Sequence, residues 1–142
     1  TKIILEKIRD EFVAEETDAS YFMETHLRDN VNNVMQIVKN LKRSAEHEEE
    51  QWNQLLEDIK TAEDEKWDAG MMQEHVAKLS DINIDPEVQD LLNAKSELLT
   101  PEEKEIHRLN FLSRLRANAD GRKKVVRYHG KVCSLGLDVL TP

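Results

Sequence analysis

The stretch Leu27–Ala62, LRDNVNNVMQIVKNLKRSAEHEEEQWNQLLEDIKTA, decides how the rest of the chain must be arranged. Apolar residues recur in it at alternating intervals of four and three residues, which is the spacing of one face of an α-helix. No proline or glycine interrupts the pattern before Gly70. We predict one continuous helix from about Asp18 to Asp68, on the order of 75 Å long at about 1.5 Å per residue.

Two heptad positions carry this apolar pattern. The first position holds Leu27, Val34, Leu41, Glu48, Leu55 and Ala62, and the second holds Val31, Val38, Ala45, Trp52, Ile59 and Lys66. Because a dry carboxylate is costly, we expect water or a basic side chain beside Glu48. The pattern is longer than short helices could cover, so we predict pairing with a different protein chain. The predicted partner-binding residues are Leu27, Val31, Val34, Val38, Leu41, Trp52, Leu55 and Ile59.

The remainder of the chain also has helical spacing, with no period-two alternation that would indicate strands. The predicted division is an N-terminal helix over 1–17, a long coiled-coil helix over 18–70, a short helix and linker over 71–85, and a C-terminal helical region over 86–142. The predicted fold class is therefore all-α, with a long heptad-bearing helix, shorter flanking helices and an extended, rod-like architecture.

Several local signals set the expected helix ends. Gly70 is a plausible left-handed cap for the long helix. Asp85-Pro86 is typical of a helix start, and Thr100 with Glu103 forms a capping-box pattern before the last helix. Asp120-Gly121 is a candidate break within that last helix. The two isoleucines of the linker, Ile82 and Ile84, are expected to attach it to the rest of the protein.

Composition favours an assembly protein over a loop-rich enzyme. Charged residues make up 35% of the chain and aromatic residues 5%, which is typical of long-helix proteins. The single cysteine, Cys133, excludes an internal disulfide and fits a reducing compartment. No apolar run approaches the roughly 20 residues of a membrane span, and no signal peptide is visible. The chain opens on Thr1 and stops at Pro142, so we expect it to be a fragment of a longer protein.

The net charge of −9 is distributed unevenly along the chain. Residues 1–113 carry 13 Lys/Arg and 27 Asp/Glu, whereas residues 114–142 carry 7 Lys/Arg and 2 Asp. The possible basic contact patch consists of Arg114, Arg116, Arg122, Lys123, Lys124, Arg127 and Lys131. It could bind phosphate backbones, but the acidic chain and scarce aromatics favour a partner's acidic helix or this chain's own Glu46–Asp68 face.

No residue pattern indicates catalysis, a metal or a cofactor. None of the five histidines follows a Glu or Asp by three residues, so the Glu-x-x-His signature of helical di-iron bundles is absent. His129 and Cys133 share a helix face, but two ligands do not make a zinc site. The four glycines are scattered, without a phosphate-binding loop. We expect no enzyme activity and no small-molecule substrate.

Several stretches resemble one family, the Dsn-type subunit of the MIND complex, a rod-shaped kinetochore assembly. They are Ile4–Tyr21, ILEKIRDEFVAEETDASY; Glu49–Leu56, EEQWNQLL; Leu98–Leu115, LLTPEEKEIHRLNFLSRL; and the segment Val125–Leu140. The first resembles that family's helix leading to a small-residue and aromatic turn, and the second resembles its acidic helix with tryptophan and leucines. The third resembles its Leu-x-Pro-acidic helix start, and the fourth resembles its C-terminal helical segment. The family's basic regulatory segment and head-domain hairpin are not seen in this sequence.

The resemblance implies a scaffold linking centromeric chromatin to outer microtubule-binding components during chromosome segregation. The long helix would lie beside helices of other subunits in a hetero-oligomeric coiled coil, and the nucleus would be its location. Outside the resemblance, a cytoplasmic or other intracellular location is the expectation. Two alternatives stay open: a compact helical adaptor whose long helix bends back near Arg43–Glu48, and a nucleic-acid-binding helical module.

Overall fold

A computed structural model describes residues 16–95 and 97–141, with side chains described from residue 23 onward. This part of the chain is helical and contains no strand. The helices are α1 (Glu16–Glu65), α2 (Ala69–Ala77), α3 (Pro86–Asn93) and α4 (Pro101–Leu140). The predicted helix within residues 1–17 lies almost entirely outside the described residues. The all-α prediction is confirmed for the part of the chain that the structure covers.

α1 and α4 form an antiparallel hairpin that organises the other elements. Arg116 pairs with Glu63 near one end, and Arg127 Nε lies 3.4 Å from Glu49 Oε1 about three to four turns away. Gly136 faces Val38 still further along, so α4 runs back along α1. At about 1.5 Å per residue, the 50 residues of α1 span roughly 75 Å, and the 40 residues of α4 roughly 60 Å.

One half of the hairpin is closed by α2 and α3. Its core contains fully buried side chains of α1, α2 and α4, of which the largest are Trp52, Phe111, Leu55, Ile59, Met72, Leu112 and Leu115. The linker between α2 and α3 is attached to this core through buried Ile82 and half-buried Ile84, as predicted. We call the part that contains this core, from Ala45 on α1 to Val126 on α4, the closed half.

The end of α1 differs from the prediction. The helix stops at Glu65, and Lys66 takes the left-handed conformation with φ of 55°. The Trp67 N–H donates to the carbonyl of Ala62 at 3.0 Å, which closes the helix in the manner of a Schellman motif. Gly70 instead lies inside the first turn of α2, after the Asp68 cap. The cap prediction for Gly70 was wrong because the buried Trp67 turns the chain into the core three residues earlier.

α3 starts at the predicted position, but its start is not capped in the predicted way. Asp85 precedes Pro86 at the N-cap, but its side chain makes no capping hydrogen bond. Its backbone N–H instead donates to Asn118 Oδ1 at 3.0 Å, and its carboxylate lies 3.5 Å from Arg122. The Asp85 contacts therefore hold the linker against α4.

α4 is continuous through Gly121, the candidate break. Its predicted capping box is confirmed: Thr100 accepts from the Glu103 N–H, and the Glu103 carboxylate accepts from the Thr100 N–H. The resulting 40-residue helix covers far more of α1 than short helices could. The prediction that this chain lacks enough helix to cover most of the long apolar face was therefore wrong for the closed half.

Candidate partner-binding groove

The predicted partner-binding residues separate into two groups. Trp52, Leu55 and Ile59 are 0% exposed and form the centre of the closed half. The structure corrects their assignment to a partner, because α2 and α4 of the same chain already pack against this part of α1. By contrast, most of the predicted contact residues nearer the start of α1 are exposed: Leu27, Val31, Val34 and Leu41. Val38 is half-buried.

The exposed group lies where the hairpin has only two helices. We call α1 residues 23–44 together with α4 residues 127–140 the open half. Val38 on α1 lies beside Gly136 on α4, and α4 ends four residues later at Leu140. Because the two helices are antiparallel, Leu27 and Val31 lie beyond the end of α4. No described residue covers these two side chains to the extent seen in the closed half.

An apolar groove between α1 and α4 lies at the junction of the two halves and continues into the open half. We call it the front groove; its volume is about 470 Å³. Its lining comprises Leu41, Ser44, Ala45, Glu48, Val126, Tyr128, His129, Val132 and Cys133. Leu41 and Tyr128 are 56% and 67% exposed, so the groove is bordered by apolar surface on both walls.

An apolar stripe extends the groove along each helix. On α1, Val34 and Ile37 share the helix face of Leu41, because they precede it by seven and four residues. On α4, the exposed stripe consists of Val125, Tyr128, Val132, Leu135 and Val139, spaced by three and four residues. Leu41 from the first stripe and Tyr128 and Val132 from the second line the same groove, and the remaining residues continue each stripe along its helix. This is the pattern of a hairpin that lacks a third helix.

Sequence reasoning missed the α4 stripe as a binding surface. It predicted a helix there but assigned the contact role to the basic residues instead. The signal was nevertheless present, because intervals of three and four residues from Val125 to Val139 indicate a second apolar face. The face that packs on α1 is a different one, formed by residues such as Ala119, Val126 and Gly130.

The closed half ends at the linker, where the front groove begins. His47 Nε2 lies 2.5 Å from Asp81 Oδ2, and Gln51 Oε1 accepts from the Asp81 N–H at 2.8 Å. Ser44, three residues before His47, already lines the groove. α2, α3 and their linker lie against the hairpin in the closed half. At the level of Ser44 no described element takes their place, so the hairpin is open there.

The basic patch is largely engaged within the chain. Arg116 and Arg127 pair with Glu63 and Glu49 on α1, within the Glu46–Asp68 face that was one of the two counterparts considered from the charge distribution. The other two arginines pair with acidic residues at α3: Arg122 with Asp85 and Arg114 with Glu87. In the described residues no ion pair involves Lys123, Lys124 or Lys131.

These ion pairs are exposed and each contributes little to stability. These pairs still matter, because they engage the four arginines of the basic patch. Three lysines, rather than seven basic residues, therefore remain as unpaired cations. Lys124 and Lys131 border a small groove of about 240 Å³ with Arg127 and Tyr128. Only one aromatic ring accompanies them, which gives little stacking surface for nucleic-acid bases.

A second cavity, of about 330 Å³, lies at the base of the closed half beside Lys66, Lys104 and Arg108. Its charges are mostly balanced: Arg108 binds Glu105 through two nitrogens, at 3.0 and 2.5 Å, and the Asp68 carboxylate caps α2. The Arg108 hydrogen bond holds the pKa of Glu105 below its usual value. This arrangement is that of a surface ion-pair cluster.

The described residues contain no cluster of three His, Cys, Asp or Glu side chains placed as metal ligands. His129 and Cys133 line the front groove with Glu48, but among the described residues these side chains are not placed close enough to hold a metal together. None of the helices described is both long enough and apolar enough to cross a membrane.

No protein-family profile, curated protein or solved structure matches the chain.

Proposed function

We propose that this chain is a structural subunit of a multi-protein helical assembly, in which the front groove receives a helix from a different protein. The observation that carries the proposal is the pair of exposed apolar stripes on the two walls of one groove. Exposed apolar surface of this kind marks a site of association, and helix-in-groove binding uses residues at intervals of three and four.

The chemistry of such a subunit is packing rather than catalysis. A third helix would place its apolar side chains between Leu41 on α1 and Val132 on α4, and would extend the hairpin into a rod-like three-helix coiled coil. The exposed residues Leu27, Val31 and Val34 would lengthen that contact past the end of α4. Flanking charges would then determine which partner is accepted.

The family resemblance supplies the specific form of the proposal. A Dsn-type subunit joins the other subunits of the MIND complex side by side, and would act in the nucleus at the kinetochore. The long α1, the acidic turn before Trp52 and the capped start of α4 support this form, because they correspond to the stretches that carry the resemblance. Within this proposal the chain is neither an enzyme nor a direct nucleic-acid binder.

Co-expression with the other three subunits of a MIND-type complex tests the proposal. We expect a stoichiometric complex with the wild-type chain, and loss of that complex with Val34→Asp plus Leu41→Asp. Both residues are exposed, so the variant should retain its helicity by circular dichroism. Ile106→Asp is the matched control, since Ile106 is 67% exposed on α4 but lies in the closed half.

Two results would count against the proposal in different ways. If the wild-type chain does not associate with these subunits, the kinetochore form is wrong. If it associates and the double variant does so equally well, the contact lies outside the front groove.

A compact helical adaptor is the second candidate, and the closed half favours it. That half has its own core, with Trp52, Phe111 and Leu115 fully buried. The bend near Arg43–Glu48 that a fully compact molecule requires is absent, because α1 runs unbroken through those residues. Small-angle scattering distinguishes the candidates, since an adaptor of this kind would give a compact monomeric particle.

A further inference from the structure

The front groove contains a single carboxylate, that of Glu48, among largely apolar side chains. Glu48 is half-buried, and the described residues offer it neither a hydrogen bond nor an ion pair. Both adjacent residues are paired: His47 with Asp81 at 2.5 Å and Glu49 with Arg127 at 3.4 Å. Glu50 also has no partner among the described residues, but it is exposed and outside the groove, so Glu48 is the unpaired carboxylate that lies within it.

Filling the groove would change the surroundings of this carboxylate. A docked helix would displace solvent from Glu48, and the surrounding Leu41, Val126 and Val132 cannot replace its hydrogen bonds. The hydroxyl groups of Ser44 and Tyr128 also line the groove, but neither donates to Glu48 in the structure. Burying an unpaired carboxylate is strongly unfavourable, so an entirely aliphatic helix would bind poorly at this level. His129 lines the same groove and makes no ion pair with Glu48 in the structure.

We propose that the helix received by the front groove carries a lysine or arginine that pairs with Glu48, and is aliphatic over the rest of its contact face. This inference rests on the proposed function, and adds to it the chemical identity of the partner.

The pair with Glu48 would also fix the register of the partner. Glu48 lies at the end of the groove where the linker begins, since its neighbours His47 and Gln51 contact Asp81. The basic residue of the partner therefore belongs near the end of its contact stripe that abuts the linker. One polar contact at a core position is a known means of selecting a single helix alignment.

A library of displayed amphipathic helices, about four heptads long and randomised over the contact face, is a suitable probe. Selection against the wild-type chain should enrich lysine or arginine at one contact position near one end. Selection against Glu48→Lys should enrich aspartate or glutamate at that position, and Glu48→Gln should show no charge preference. Glu50→Lys is the matched control, because Glu50 is exposed on the same helix and outside the groove.

A lysine-bearing helix selected in this way should bind Glu48→Lys at least about tenfold more weakly than wild type. Enrichment of purely aliphatic contact faces, or the same basic preference against Glu48→Gln, would overturn the inference while leaving groove binding intact. Failure to enrich any helix, or enrichment unaffected by Val132→Asp, would instead overturn the proposed function. Circular dichroism confirms that each variant is folded before selection.

Discussion

The two halves of the α1–α4 hairpin have the same helices but different neighbours. In the closed half, α2 and α3 complete the core, and Trp52, Leu55 and Ile59 have no exposed surface. In the open half, residues at equivalent heptad positions, such as Leu41, are largely exposed. The comparison shows that helical periodicity identifies which face of a helix is buried, whereas the tertiary position of other elements decides what buries it.

The largest expected effect contrasts a core residue with a groove residue. Trp52→Ala should lower the free energy of unfolding by about 3–5 kcal/mol, because it removes a fully buried side chain and leaves a cavity. Leu41→Ala should change it by no more than about 0.5 kcal/mol, since Leu41 is 56% exposed. Urea denaturation measures both values, and equal losses would mean that the two halves are not distinct.

The linker contact gives a smaller effect within the closed half. Asn118→Ala should cost about 1–3 kcal/mol, because it removes the acceptor of the Asp85 N–H in a partly buried site. Asn110→Ala is the control, as the exposed Asn110 side chain bonds only Arg114 on its own helix. Thermal unfolding should separate the two variants, and an Asn118→Ala protein as stable as Asn110→Ala would contradict this role for the contact.

A substitution in the turn at the end of α1 should increase the stability of the protein. Lys66→Gly is expected to raise the free energy of unfolding by about 1 kcal/mol, because Lys66 has a φ of 55°, which favours glycine. Lys60→Gly should lower it by about 1 kcal/mol, since Lys60 lies inside α1. Opposite signs for the same replacement, measured by chemical denaturation, test where α1 ends within the closed half.

The smallest expected effect concerns the continuity of α4. Gly121→Ala should stabilise the protein by about 0.5–1 kcal/mol, because a Cβ there would meet no atom within 4 Å and alanine favours helix. A destabilised variant would indicate that α4 is broken at Gly121 in solution. Amide hydrogen exchange would also show this break directly, as a local loss of protection.

The sequence allowed a good prediction of the helices and a partial one of the groove. The start of α4 was predictable because a capping box depends only on Thr100 and Glu103, four residues of local chain. Gly121 misled because an exposed glycine costs a helix only about 1 kcal/mol, which packing by Ala119 and Val126 can offset. Such packing is not visible in local sequence.

The separation of the heptad residues into buried and exposed groups was also not predictable. Leu41 and Leu55 occupy the same heptad position, and their surroundings differ because α2 and α3 fold beside one of them only. The role of Gly70 was mistaken for a similar reason, since the burial of Trp67 sets where α1 ends. In each case a long-range contact outweighed a local preference.

The position of Cys133 provides a built-in chemical reporter. It is the one thiol in the chain, it is half-buried, and it lies on the wall of the front groove. A ligand seated in the groove would slow the alkylation of this sulfur, while binding elsewhere would not. The rate of thiol modification can therefore report the occupancy of the groove in the unaltered protein.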